Sequence, residues 1–207
     1  HVGEVKKMAR EIKLISPNIL TVVGGVHAEV VPEDFLSKYI DCIICSNPVE
    51  TFIKIIDFVK SGDNIKGIEG NYKKGKKHIR TSSYNILPPD RESVKRYRRK
   101  YYYMFHNPCA LIKTSLGCPY TCSFCFCKEI TGGKYFARKL DEVIKELESI
   151  KEREVYIVDD DFLFNEDRLN AFCDALEEKN ISKKFLVYGR ADFIASHEKV
   201  IGRLSRH

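Results

Sequence analysis

Short apolar strands alternate with amphipathic helices in two separate runs of this sequence, and that alternation restricts its fold more than any other feature. In residues 1–80, the spacing of Val5, Met8, Ala9 and Ile12 predicts a helix over Glu4–Leu14. A strand Leu20–Val23 follows, then the turn Gly24-Gly25, a helix from Pro32 to Tyr39 and a strand Cys42–Cys45. The next helix places Phe52, Ile55, Ile56 and Val59 on one face and stops at Ser61-Gly62-Asp63. A β-hairpin is expected from Gly67–Tyr72 through the Lys73–Lys76 turn to Lys77–Arg80.

From Thr81 to Phe105 the periodicity fades around Pro88-Pro89-Asp90 and a basic, aromatic run, so an interdomain linker is placed at 86–105. The second run begins with strand Ala110–Lys113, which leads into a cysteine-rich loop. Helix Leu140–Ile150 comes next, then strand Val155–Val158 ending in Asp159-Asp160-Asp161. A helix over Glu166–Glu178, with Asn165 as its N-cap, precedes strand Phe185–Tyr188 and a last partial helix. Three strand-helix units in series make half of a six-unit parallel barrel. The chain starts at His1 inside a helical pattern and stops inside another, which reads as a fragment of something longer.

Composition narrows the setting. Eight cysteines in 207 residues would suggest disulfides in a secreted protein, but residues 1–30 hold no signal-peptide pattern. A reducing cytoplasm is expected, with thiols available for metal binding. The longest apolar runs, such as Ile19–Val23 and Val155–Val158, are too short to cross a bilayer, and no membrane partner is expected. The net charge of +6 draws on Lys73–Lys77 and Arg91–Lys100, the latter just before Tyr101, Tyr102 and Tyr103. Such a run can grip single-stranded nucleic acid, yet solvated turns explain it better.

The chemistry concentrates in Gly117-Cys118-Pro119-Tyr120-Thr121-Cys122-Ser123-Phe124-Cys125, a C-x3-C-x2-C spacing in the loop after a strand. Close spacing lets three thiolates converge on one inorganic cluster at little loop-closure cost. Three ligands on a four-iron cluster leave one iron open to chelate another molecule, whereas an electron-transfer cluster is normally closed by four cysteines. Zinc sites favour paired C-x2-C spacings with further Cys or His ligands, a poorer fit. Cys42, Cys45 and Cys173 lie in apolar contexts and read as core; Cys127 is either a further ligand or structural, and Cys109 is unassigned.

The loop resembles the C-x3-C-x-aromatic-C signature of the radical S-adenosylmethionine superfamily. That resemblance implies that Cys118, Cys122 and Cys125 hold a [4Fe-4S] cluster whose open iron binds the amino and carboxylate groups of S-adenosylmethionine. It also implies that Phe124 packs near the adenine and that an external donor, flavodoxin or ferredoxin, supplies electrons. Asp159-Asp160-Asp161-Phe162-Leu163-Phe164-Asn165 resembles a strand-end pattern of the cobalamin-associated branch. Asp160, with Asp159 beside it, would then hold the methionyl amine; three aspartates solvating a turn are the alternative. Tyr188-Gly189-Arg190-Ala191-Asp192 resembles the same branch's next strand end, where Arg190 would meet a cofactor carboxylate, or make only a surface salt bridge.

Earlier in the chain, Thr21-Val22-Val23-Gly24-Gly25-Val26-His27-Ala28 resembles the Gly-Gly-x-His-Ala loop of the cobalamin-binding domain in that branch. The implied architecture is α/β: a Rossmann-like cobalamin-binding-type domain at 1–85, the linker at 86–105, and the first half of a (β/α)6 partial TIM barrel at 106–207. Gly24, Gly25 and His27 would face the cobalamin, although a histidine satisfied by a neighbouring group is an equal reading of His27. Relatives show an Arg-Gly-Glu-x-Glu stretch where this chain has Cys45-Ser46-Asn47-Pro48-Val49-Glu50. The expected activity is radical methyl transfer to an unreactive carbon of a small molecule. A non-methylating cyclase, a transfer-RNA methylthiotransferase and an iron–sulfur electron carrier are the alternatives.

Overall fold

The structure, a computed structural model, describes residues 1–75, 80–81 and 88–207. They fall into two compact units, His1–Ser83 with Pro119–Lys134, and Tyr84–Cys118 with Tyr135–His207.

In the first unit, helix α1 (Val2–Ile15) buries Ala9 in a cluster with Ala28, Phe35, Ile40 and Ile43. Strand β1 (Val22–Val23) pairs in parallel with β2 (Cys42–Ile43), Val22 opposite Cys42. Asp41 fixes the entry to this pair, accepting from the Thr21 N–H and hydroxyl at 2.8 Å each and meeting Lys13 Nζ at 2.7 Å. The expected helix over Pro32–Tyr39 is replaced by a short helix α2 (Val26–Val30) and a 3-10 turn at Pro32–Phe35. Pro32 has no N–H to continue α2, and Leu36 has already left helical geometry at ψ 119°.

Helix α3 (Pro48–Ser61) starts with proline in its first turn and closes on Gly62 at φ +77°. Its buried stripe differs from the expected one. Thr51 and Ile55 are buried, whereas Phe52, Ile56 and Val59 are exposed. Thr51 is held inside because its single hydroxyl proton is shared between the Ser46 and Glu69 carbonyls, at 2.9 and 3.3 Å. Where a hairpin was expected there is a 3-10 turn at Ile65–Gly67 and one antiparallel bridge, Ile44 to Asn71; Lys76, Lys77, His78 and Ile79 lie outside the described residues. The unit also contains helix α4 (Cys127–Thr131), which packs on α2 and carries Glu129, paired with Arg80 at 2.6 Å.

The second unit is built on a parallel sheet of β3 (Cys109–Ile112), β6 (Glu154–Ile157) and β7 (Lys184–Leu186), in that order. Between β3 and β6 come a small antiparallel pair, β4 (Ser115–Leu116) with β5 (Phe136–Ala137), and helix α5 (Leu140–Ser149). Helix α6 (Glu166–Glu178) joins β6 to β7, and α7 (Ala191–Ser196) and α8 (Glu198–Leu204) follow. Each parallel step is thus bridged by a helix, as parallel strands require. Ala110, Ile112, Val155 and Ile157 point to one face of the sheet, into a core with Val143, Ile144 and Leu147 of α5 and Leu169, Phe172 and Leu176 of α6. Asn165 caps α6, its Oδ1 accepting the Arg168 N–H at 2.8 Å.

Residues 88–105, expected as a linker, are tied to this second unit. A 3-10 helix at Lys95–Lys100 sends Arg98 to a two-pronged contact with Glu152 at 2.7 and 2.6 Å, and that guanidinium holds the Glu152 carboxyl below its usual range. Arg91 and Arg138 meet opposite oxygens of buried Glu146 at 2.6 and 2.7 Å. Charges taken out of water this far need such pairing.

Candidate cluster and cofactor site

Side chains alternate faces along a strand, and this alternation runs past the end of β6. Val155, Ile157, Asp159 and Asp161 are buried, while Tyr156, Val158 and Asp160 between them are half-buried. The three aspartates therefore occupy different environments.

Asp159 accepts four hydrogen bonds, from the N–H and hydroxyl of Thr114 at 2.6 and 2.5 Å and from those of Ser115 at 3.1 and 2.7 Å. Its oxygens are occupied in clamping the end of β6 to the start of β4. The expectation that Asp159 contacts a cofactor is corrected accordingly, because no lone pair is left over for an incoming ammonium. Asp160 accepts the Gly117 N–H at 2.9 Å, and Lys113 Nζ stands 3.9 Å from its other oxygen. At 19% side-chain exposure it remains reachable by a bound molecule.

Asp161 was not singled out from the sequence. Neither of its carboxylate oxygens has a hydrogen-bond partner among the described residues, and the residue is 3% exposed. Burial raises its carboxyl pKa, partly opposed by the Arg190 guanidinium and by the Leu163 backbone N–H nearby. The signal that would have found it is the two-residue alternation itself, continued two steps beyond Ile157. Arg190 precedes α7 and grips Asp192 with two nitrogens, at 3.0 and 2.7 Å, while remaining 37% exposed.

The cysteines divide by environment. Cys42, Cys45, Cys109 and Cys173 are buried, and burial pushes their thiols up, to about 11 for Cys42 and Cys45. Thiols held protonated in a core make poor metal ligands. Cys118, Cys122, Cys125 and Cys127 are half-exposed and free of disulfides. Cys118 follows Gly117, at φ +83°, in the second unit. Cys122 and Cys125 lie in the first unit, in a turn closed by the Cys125 N–H on the Cys122 carbonyl at 3.1 Å, with Phe124 91% exposed between them. Among the described residues no group of three or more His, Cys, Asp or Glu side chains is gathered to hold a metal ion. The donor chemistry nonetheless fits an iron–sulfur cluster: accessible, unbridged thiols in an irregular loop, able to close around an inorganic core.

In the first unit the loop after β1 turns at Gly25, φ +101°, a conformation that favours glycine. Among the described residues, a Cβ on Gly25 would meet nothing within 4 Å, and one on Gly24 only the Ile44 Cβ at 3.7 Å. Among the described residues nothing crowds the backbone here, as a large ligand approaching the strand end needs. His27 is engaged: its Nε2 lies 2.7 Å from Asp34 Oδ2 and its ring stands edge-on to Phe35.

Residues 112–198 match the model of the Radical SAM superfamily, from the end of β3 to the start of α8. This segment belongs to that superfamily. The radical SAM match thus spans the cysteine loop, the three aspartates and Arg190. Hopanoid C-3 methylase of Methylococcus capsulatus is 28% identical over 206 residues, covering 97% of this chain and 40% of the relative. The cobalamin-dependent S-adenosylmethionine radical enzyme OxsB, solved with aqua-cobalamin and S-adenosylmethionine, superposes with a TM-score of 0.71 at 20% identity, covering 97% of this chain and 31% of its own. The radical S-adenosylmethionine methyltransferase TsrM of Kitasatospora setae gives 0.67 at 18%, covering 94% and 42%. The chain therefore shares its fold with radical SAM enzymes and spans well under half the length of each of these relatives.

Proposed function

We propose that this chain carries the cofactor-binding parts of a cobalamin-dependent radical S-adenosylmethionine methyltransferase acting on a small molecule. The observation that supports it most is the hydrogen bond from Gly117 to Asp160, which joins the residue before Cys118 to the carboxylate best placed to receive an ammonium. Cys118, Cys122 and Cys125 would hold three irons of a [4Fe-4S] cluster, and Phe124 would cover the adenine. When bound, the cluster delivers the electron that cleaves S-adenosylmethionine to a 5′-deoxyadenosyl radical, and cobalamin carries the methyl group to be transferred.

The chain's own side chains bind and orient. Asp160 accepts from the methionyl ammonium while holding the Gly117 N–H, and Arg190 reaches a carboxylate by releasing one of its contacts to Asp192. Residues 1–85 form the cobalamin-binding-type domain and 106–207 the first half of a (β/α)6 barrel. In the first, Gly24 and Gly25 let the cofactor approach the backbone, with His27 at its rim. A flavodoxin or ferredoxin would reduce the cluster, in the cytoplasm.

The test is anaerobic reconstitution of the complete protein. About four irons and four sulfides per chain are expected, with an electron paramagnetic resonance spectrum that changes when S-adenosylmethionine is added. Replacing Cys118, Cys122 and Cys125 together by Ala should abolish both; a cluster unchanged in that variant would end the assignment. Failure to bind hydroxocobalamin at micromolar concentration, with the cluster intact, would leave a radical enzyme that does not use cobalamin.

A further inference from the structure

The first unit holds the Gly24-Gly25 turn together with Cys122 and Cys125, and between them in sequence a pair of residues, Arg80-Thr81, that the proposed chemistry does not use. Gly25 is the N-cap of α2, and the Glu29 N–H returns to the Gly25 carbonyl at 3.1 Å, so the turn and the helix after it are one piece. Helix α4 begins at Cys127, two residues past Cys125, and continues the cysteine loop in the same way. The two helices pack on each other. Each has only five residues, too few to hold a helix alone, so their order depends on the contacts that join them.

Thr81 joins them from the inside. Its hydroxyl donates to Glu29 Oε2 and accepts the Asn47 N–H, at 3.2 Å each, while its own N–H donates to the Ile130 carbonyl at 3.1 Å. One residue thereby engages α2, the residue that leads into α3, and α4. Thr81 is 2% exposed and Glu29 8%, so these bonds replace water that neither group can reach. Asn47 lies in the stretch that departs from the relatives' Arg-Gly-Glu-x-Glu pattern. Arg80 repeats the link nearer the surface, with Nη1 3.4 Å from the Glu29 carbonyl and Nη2 2.6 Å from Glu129 Oε2. A half-exposed ion pair contributes little by itself, so the buried bonds of Thr81 dominate the link.

We infer that Thr81, with Arg80 beside it, is a positioning residue through which the cysteine loop and the Gly24-Gly25 turn order one another. The inference rests on the cofactors proposed for those two loops, a cluster at one and cobalamin at the other. A cluster that fixes Cys122 and Cys125 fixes the start of α4. Helix α4 holds Thr81 through the Ile130 carbonyl, and Thr81 holds α2 through Glu29. Conformational freedom lost when one loop is ordered is not lost a second time when the other cofactor binds, so the two binding events are cooperative. Linkage makes the effect reciprocal: each cofactor raises the affinity for the other by the same factor.

The test is hydrogen–deuterium exchange of the complete protein, cluster-free and after anaerobic reconstitution, with no cobalamin present. Loading the cluster should slow amide exchange in α2, Val26–Val30, by about five-fold or more. Thr81→Val keeps the shape and the N–H to Ile130 but removes the hydroxyl, and should cancel that slowing with iron content near that of the native protein. Thr81→Ser returns a hydroxyl and should restore the response, whereas a general loosening of the fold would not depend on it. In the native protein the cluster should also tighten hydroxocobalamin binding about five-fold or more, a ratio that falls to near one in Thr81→Val. Should Thr81→Val misfold, Arg80→Met, at a half-exposed position, decides by the same exchange measurement, where a weaker response is expected. Exchange in α2 that ignores the cluster in the native protein overturns the inference, as does a response that survives both substitutions. Absence of hydroxocobalamin binding ends the cobalamin reading instead, and the exchange measurement still judges the coupling. A protein that takes up no iron ends the cluster reading and the inference with it.

Discussion

The Asp160 carboxylate accepts the backbone N–H of Gly117 at 2.9 Å, so the end of β6 holds the residue that leads into Cys118. One side chain therefore serves two tasks in the proposed site, anchoring the cysteine loop and receiving the methionyl ammonium. Substitutions separate them. Asp160→Asn keeps an oxygen for Gly117 but loses the charge, and S-adenosylmethionine affinity should fall by roughly 1.5–3 kcal/mol, about ten- to hundred-fold, with iron content near that of the native protein. Asp160→Ala loses both and should lower iron content as well. Iron and sulfide analysis with calorimetric titration distinguishes the two; equal iron in both variants would remove the loop-anchoring role.

Asp159 predicts a different outcome. Its four accepted hydrogen bonds join the ends of β6 and β4, and Asp159→Ala would strand two hydroxyls and two N–H groups in a buried place. The expected loss of stability is roughly 3 kcal/mol or more, read as a lower urea midpoint with unchanged slope. A variant as stable as the native protein would mean that water replaces the carboxylate without cost.

The second unit was legible because local and long-range preferences agree there. Leu140, Val143, Ile144 and Leu147 have helical spacing and bury that same face, and Asn165 caps α6 as its chemistry suggests. Where the sequence misled, the deciding contacts are distant. Residues 88–105 have no periodicity of their own, yet Arg91 and Arg98 reach carboxylates about fifty positions away, which no local pattern encodes. Phe52, Ile56 and Val59 have the right spacing for a buried face, but Thr51 takes the inside because the Ser46 and Glu69 carbonyls need its hydroxyl. The acidic run told where a strand ended, and the continued alternation of β6 sets reachable Asp160 apart from buried Asp159 and Asp161; which of those two clamps follows only from the distant Thr114 and Ser115 hydrogen bonds.

Asp161 carries the pH prediction. Its folded pKa is raised above the ordinary 3.8 by burial, so folding favours the protonated form. Stability from this group is fully present below its unfolded pKa and is lost as pH rises through the folded value. Once ionised, the carboxylate is a burden on the fold. Asp161→Asn should therefore stabilise the protein at neutral pH by on the order of 1 kcal/mol, an advantage that shrinks toward pH 4. Urea unfolding at the two pH values checks it, and an advantage that did not shrink on acidification would show that the carboxylate is already protonated at pH 7.

The cobalamin reading is best tested at Gly24. Gly25 sits at φ +101°, so any side chain there strains the turn, and a loss of cofactor in a Gly25 variant would not distinguish a blocked site from a distorted loop. Gly24 has no such constraint, and a Cβ there makes an ordinary contact with Ile44 at 3.7 Å. Gly24→Ala should consequently fold normally, with a melting temperature near that of the native protein. A methyl group projecting where a corrin ring must approach the backbone should nevertheless weaken hydroxocobalamin binding about ten-fold, by the loss of close packing. The cluster and the cleavage of S-adenosylmethionine to 5′-deoxyadenosine should survive, because Cys118, Cys122 and Cys125 lie elsewhere in the chain, while the yield of methylated product falls with cobalamin occupancy. Native cobalamin affinity in Gly24→Ala would place the cofactor away from this loop.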